Sequence, residues 1–294
     1  MMSASCKIWL MAFRPKTLCA SIAPVFIGFA MAFGDGVYHV PTAIICLMAA
    51  LAIQIGTNIA NDYYDFKKGA DTSERIGPTR VTQAGLLKPG AVKKAFILSF
   101  VLATLLSVWL VYRGGWPIAV IGVSAILSGI FYTAGPLPLG YIGLGDVFVL
   151  VFFGPVAVAG TYYVQSFEMN AAVILAGLGS GLISVAILTV NNLRDIDSDS
   201  RVGKRTLAVR FGRSFALFEY VFCMTTAALT PVLIYGLIQD HIGILMCAMI
   251  AILAIPSIVT VSTRSDGPSL NKVLAATGRL LFVYSVIFAV GWNL

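Results

Sequence analysis

The sequence predicts an all-α, polytopic membrane protein with nine transmembrane helices in one bundle. Three observations carry that expectation. The 294-residue chain is 59% hydrophobic and only 11% charged, less than half the charged share of an ordinary soluble domain. Nine segments are long and apolar enough to cross a bilayer, which takes about 20 mostly apolar residues. The basic residues gather on one side of those segments. A transmembrane barrel would show alternating stretches of about ten residues instead, and none is present. One domain over residues 1–294 accounts for the whole chain.

In chain order the predicted spans cover residues 17–33, 41–60, 95–112, 116–133, 146–164, 171–193, 215–237, 242–261 and 273–292. Spans four and five are joined by YTAGPLPLGYIGLGD (132–146), whose prolines and glycines exclude regular helix. Lys7, Arg14 and Lys16 precede span one, seven Lys/Arg lie between spans two and three, and six between six and seven. Arg264, Lys272 and Arg279 lie at or near the connection of the last two. Nineteen of the 20 basic residues thus share one side, with Arg113 alone opposite. By the positive-inside rule the N-terminus is cytoplasmic and the C-terminus outside. A multi-pass protein of the cell (inner) membrane is expected, with the lipid bilayer as its surroundings. The net charge of +7 reports this topology and implies no nucleic-acid partner.

Five cysteines, Cys6, Cys19, Cys46, Cys223 and Cys247, are scattered without C-x-x-C spacing and read as small buried hydrophobes. His39 and His241 stand alone on short loops, which argues against a histidine metal site. Arg14 and Lys16 break the first apolar stretch, so no cleaved leader is expected.

The acidic residues are more informative. Seven of thirteen fall in two short stretches, Asp62, Asp65, Asp71 and Glu74, then Asp195, Asp197 and Asp199. Each ends an even-numbered span, so both belong to the cytoplasmic face. The stretches resemble each other, as an internal duplication or as convergence of short polar motifs. On a helix, residues four apart share a face: Asn61 with Asp65, Asn58 with Asp62, and Asp195 with Asp199, while Asp197 points away. A charge in hydrocarbon costs at least about 2.5 kcal/mol, so these carboxylates need partners. One choice is the adjacent basic set, Lys67, Lys68, Arg75 and Arg80 beside the first stripe and Arg194, Arg201, Lys204, Arg205 and Arg210 beside the second. The other is a divalent cation. An oxygen-only donor set suits a hard ion such as Mg²⁺, held by one or two carboxylates while phosphate and water complete its shell.

Asp/Asn stripes, Mg²⁺ and a ring of Arg/Lys at the mouth of an apolar bundle would fit a polyprenyl diphosphate, its head among the charges and its tail in the bundle. Cations there stabilise charge building on departing diphosphate. The same charges also have a plainer reading as interfacial anchors, which fits Lys88, Lys93, Lys94, Arg213 and Arg264. Tyr63 and Tyr64 are either interfacial aromatics or rings that shield a cation.

NDYYD (61–65) and DIDSD (195–199), each at the end of an even-numbered span, resemble the paired signatures of the UbiA superfamily of intramembrane prenyltransferases. The likeness runs from about residue 9 to 213. Further strings, FRPKTL (13–18), NDYYDFKKGAD (61–71), RIGPTR (75–80), YTAGPLPLGYIGLGD (132–146), FFGPVAVAGTYYVQ (152–165) and NNLRDIDSD (191–199), resemble the branch that prenylates 1,4-dihydroxy-2-naphthoate in menaquinone synthesis. The resemblance implies one bundle with a central cavity and Mg²⁺, replaceable by Mn²⁺, held by Asn61, Asp62, Asp65, Asp195 and Asp199. Asp65, Asp195 and Asp199 would be catalytic. Lys68, Arg80, Lys204 and Arg205 would touch phosphate oxygens, with Tyr132 and Thr133 in the loop that caps the site. On the acceptor side stand Tyr63 and Asn192, the last where the 4-hydroxybenzoate branch usually has Asp, while Arg14 and Lys16, basic and cytoplasmic, are either partners of the acceptor carboxylate or positive-inside anchors.

The implied reaction joins a polyprenyl group to dihydroxynaphthoate with loss of diphosphate and carbon dioxide, giving a demethylmenaquinol. Three rivals are a 4-hydroxybenzoate polyprenyltransferase, a CDP-alcohol phosphatidyltransferase and an ion-coupled transporter. The second should carry a D-G-x-x-A-R string, which is absent, and the third should place carboxylates at mid-span, where the nine spans are nearly uncharged.

Overall fold

A computed structural model describes residues 3–70 and 77–294; Asp71, Glu74 and Arg75 lie outside the described residues. Those described form helices and connections without a strand. Helix α1 (Ala4–Phe13) precedes the first span and opens on Ser3, whose hydroxyl accepts the Cys6 N–H. It stops at Arg14, which adopts the left-handed conformation with φ 53°. Helix α2 (Pro15–Gly34) then begins with proline at its first position, where the missing N–H costs nothing.

Helix α3 (Val40–Lys67) has 28 residues, about 42 Å at 1.5 Å per residue. It outruns the predicted apolar span 41–60 by about two turns, so Asn61 and Asp65 follow that span on the same rigid rod. Helices α4 (Pro89–Gly114) and α5 (Trp116–Phe131) form a hairpin. The fifth span is split into α6 (Gly145–Phe152) and α7 (Pro155–Ser166), broken before Pro155. Helix α8 (Ala171–Arg194) is capped by Asn170, and α9 (Ile196–Arg201) follows it directly.

Helix α10 (Leu207–Ile238) is kinked at Gly212. The next span is a 3₁₀ segment (Ile242–Met249) continued by α11 (Ile250–Leu253) and α12 (Ile255–Thr263), and α13 (Gly267–Trp292) closes the chain. Among the described residues eight of these stretches are long and apolar enough to cross a membrane; α5, with 16 residues, is a shorter ninth. This is a multi-pass membrane protein, and the expected spans lie where the helices form.

Helix α8 is the hub. Its spanning window is 67% buried, the highest of the eight, and it packs on α2, α6, α7, α10 and α13. Small residues make this possible, since in a membrane close backbone approach drives helix association. A methyl group on Gly177 would sit 2.5 Å from the Pro155 Cα, so the α6/α7 break fits α8 only while that position is glycine.

Candidate active site

A cavity of about 760 Å³ runs down the bundle from a polar mouth into an apolar shaft. Asn61 and Cys46 both line it on α3; their separation along the helix gives a depth of about 22 Å. The deep wall is the cluster of Val25, Cys46, Ala49, Leu110, Ile118 and Val164. The mouth gathers the ends of α3 and α8, the start of α2, and the loop after α5.

Both acidic motifs meet there. Asp65 is 1% exposed, and its Oδ2 accepts from Arg80 Nη2 at 3.2 Å and Lys204 Nζ at 3.3 Å. Its Oδ1 accepts the Tyr141 hydroxyl at 2.7 Å. Lys204 Nζ also lies 3.9 Å from Asp199 Oδ1, so one ammonium joins carboxylates from the two motifs. Asp195 is gripped by its neighbour Arg194, Nε to Oδ1 at 2.8 Å and Nη2 to Oδ2 at 2.6 Å. Arg194 reaches onward to Asn191 Oδ1 at 2.7 Å and, on α13, Asn271 Oδ1 at 2.8 Å. Asp195 and Asp199 stay one helical turn apart, the Asp199 N–H donating to Asp195 O at 2.8 Å. Asp197 is exposed.

Most expected site residues line this cavity. Asn61, Asp65, Asp195 and Asp199 do so from the motifs, with Arg80 and Lys204 among them; Asn192, Arg14 and Lys16 join at the rim. Tyr132 and Thr133 form the capping wall, and Thr133 Oγ1 donates to Asn61 Oδ1 at 2.7 Å.

Four residues lie off the wall. Asp62 turns away and accepts the backbone N–H groups of Val81 at 3.0 Å and Thr82 at 3.1 Å; it tethers the segment that presents Arg80, so the ligand role expected for it does not follow from this geometry. Tyr63 packs on Tyr64 and Phe96, with ring centroids 5.1 and 5.7 Å away. Arg205 is exposed, and its backbone N–H donates to Tyr141 O at 2.8 Å. Lys68 Nζ braces the capping loop at Thr133 O, 2.7 Å, and Gly135 O, 3.3 Å. Burial lowers its pKa, partly offset by Asp65, while Lys204 lowers it further.

Tyr141 and Asn271 went unrecognised in the sequence. Tyr141 stacks under two ammonium groups, Lys68 at 4.7 Å and Lys204 at 4.8 Å from the ring centroid. Its string, GYIGLGD, marks a loop but not the contact with Asp65. Asn58 lines the cavity, but its amide nitrogen donates to Phe13 O at 3.0 Å and Thr17 Oγ1 at 3.2 Å, closing the turn that holds Arg14.

Charged helix ends over a deep apolar shaft suit an amphiphile with an anionic head. Residues 21–288 match the UbiA prenyltransferase family. The chain belongs to that family. As a UbiA prenyltransferase it is 34% identical over 304 residues to the 1,4-dihydroxy-2-naphthoate octaprenyltransferase of Haemophilus influenzae, covering 99% of this chain and 97% of that one. To the protein of the same name from Escherichia coli it is 36% identical, over 96% of this chain and 94% of the other. A solved UbiA homolog from Archaeoglobus fulgidus bound to DMAPP and Mg²⁺ superimposes with a TM-score of 0.69 at 15% identity, over 97% of this chain and 98% of that chain. At that identity the likeness is one of fold, and it extends over the whole UbiA bundle.

Proposed function

We propose that this enzyme transfers a polyprenyl group from polyprenyl diphosphate to 1,4-dihydroxy-2-naphthoate, releasing diphosphate and carbon dioxide and forming a demethylmenaquinol for menaquinone biosynthesis. The observation that carries the reading is the meeting of Asp65 and Asp199 around one cation at the polar mouth of an apolar shaft. The naphthoate acceptor is supported by the names of the relatives at 34% and 36% identity. The metal is supported by the archaeal homolog bound to DMAPP and Mg²⁺.

The residues fit a divalent ion. Asp65 and Asp199 already share a positive charge, the Lys204 ammonium, and their donors are oxygen, as Mg²⁺ requires. Among the described residues no three acidic, His or Cys side chains form a ready-made metal cage. Substrate phosphate and water would therefore complete the shell, the usual arrangement for Mg²⁺, with Mn²⁺ able to substitute. Asn61, Asp65, Asp195 and Asp199 would hold the ion. When bound, it would neutralise charge on the departing diphosphate.

The chain supplies the rest. Arg80 and Lys204 bind phosphate oxygens and stabilise the electron pair that leaves with diphosphate as the C1–O bond breaks. The apolar shaft holds the tail and excludes water from the allylic carbon until a ring carbon of the acceptor forms the new bond. Arg14 and Lys16, at the rim, pair with the acceptor carboxylate before it departs as carbon dioxide. The Lys/Arg bias supports a mouth and an N-terminus on the cytoplasmic side of the cell membrane, with the C-terminus outside.

The test is an acceptor comparison. Purified protein given one prenyl diphosphate should prenylate dihydroxynaphthoate and release carbon dioxide in step with product. Turnover of 4-hydroxybenzoate alone would move the enzyme to the sister branch.

A further inference from the structure

The position of the Lys204 ammonium is built, not incidental. Gly203, with φ 76°, turns the chain back after α9, a conformation that disfavours any side chain. The Lys204 N–H then donates to Asp199 O at 2.9 Å and the Arg205 N–H to Tyr141 O at 2.8 Å. These backbone bonds aim the side chain across the mouth. Its Nζ comes to rest 3.3 Å from Asp65 Oδ2, 3.9 Å from Asp199 Oδ1 and 4.8 Å from the Tyr141 ring centre. The residue is largely buried, 13% exposed at the side chain, so its charge is poorly screened by water.

We propose that Lys204 is the resident counter-ion of the two motifs: its ammonium holds the cation position between Asp65 and Asp199 in the ligand-free protein and moves onto diphosphate oxygens when the divalent ion is bound. This rests on the metal–diphosphate reading above and adds an order to it. A lysine suits the task, being a compact charge on a flexible four-carbon stem with three rotatable donors. While it stays in place, a divalent ion meets carboxylates whose charge is already matched, so the ion alone binds weakly. A diphosphate changes the balance by offering the ammonium new acceptors and the ion new ligands. Metal uptake should therefore depend on diphosphate, and Lys204 should be the reason.

The experiment is Mn²⁺ titration of detergent-purified protein, reading free Mn²⁺ by its electron paramagnetic resonance signal, with and without geranyl diphosphate. Without diphosphate, Lys204→Met should bind Mn²⁺ about tenfold or more tighter than the natural protein, because a repelling charge has gone. Lys204→Gln should behave the same, so a folding defect in one variant leaves the other to decide. Lys204→Arg keeps the charge and should stay within about threefold. Lys68→Met, whose ammonium lies across the Tyr141 ring, is the control for general electrostatics and should change affinity less than Lys204→Met. The proposal is overturned if both neutral variants bind Mn²⁺ no tighter, or if Lys68→Met matches them. In either case the metal–diphosphate reading survives provided the natural protein takes up Mn²⁺ with geranyl diphosphate. If it takes up none under either condition, that reading falls as well.

Discussion

Arg194 binds both carboxylate oxygens of its neighbour Asp195, at 2.8 and 2.6 Å, and its side chain is only 1% exposed. Because the same guanidinium reaches Asn271, this ion pair ties the second motif to the final helix. Removing one partner of a buried pair strands the other charge, at a cost of about 3–5 kcal/mol. Arg194→Met should lower unfolding stability in detergent by that order, and Asn271→Ala by less. An Arg194→Met protein as stable as the natural one would contradict the anchoring role.

Asp62 holds the segment that presents Arg80 through two backbone N–H groups. Asp62→Ala should loosen that segment, raising KM for prenyl diphosphate about tenfold with a smaller change in kcat, the loss of one or two charge-assisted bonds. Asp62→Asn should be nearly as poor, since an amide nitrogen cannot accept an N–H. Loss of Mn²⁺ uptake without a change in KM would instead make Asp62 a metal ligand.

The left-handed backbone at Arg14 is held from α3. Asn58 donates to Phe13 O and Thr17 Oγ1, and Thr17 in turn donates to Arg14 O at 3.0 Å. A non-glycine residue at positive φ costs about 1–3 kcal/mol and persists only where its surroundings impose it. Asn58→Ala should release the turn and raise KM for the naphthoate acceptor several-fold while leaving that for prenyl diphosphate nearly unchanged. Equal effects on both substrates would refute the assignment.

Tyr141 offers a finer probe, because its hydroxyl and ring do different things. Tyr141→Phe keeps the surface beneath Lys68 and Lys204 but removes the 2.7 Å bond to Asp65. The expected loss is about tenfold in kcat/KM, the worth of one hydrogen bond to a charged group. Tyr141→Ala should cost distinctly more, and equal losses would mean that the ring contributes nothing.

The sequence made the span pattern legible because twenty-residue apolar stretches have few other readings in water. Asn61/Asp65 and Asp195/Asp199 were legible for a related reason: a four-residue spacing fixes a shared helix face. That logic stops short at Asp62. Helical spacing places its side chain on a face but does not say what stands opposite, and here the opposing groups are backbone amides nineteen and twenty residues away in sequence. Tyr141 and Asn271 were hidden for the same reason, being brought in by tertiary packing from a loop and from the last helix. Helix α1 was missed because ten residues are too few to cross a membrane, and its half-buried Ile8 and Trp9 pack instead on an apolar cluster beside α3.

The most direct test of the central claim is prenyl transfer under chelation, paired with the same assay on Asp65→Ala and Asp199→Ala proteins. Turnover of a prenyl diphosphate should stop in excess EDTA, return with Mg²⁺, and be absent from both variants although they remain folded in detergent. Full turnover in the presence of chelator, or by either variant, would contradict a metal–diphosphate site shared between the two helix ends.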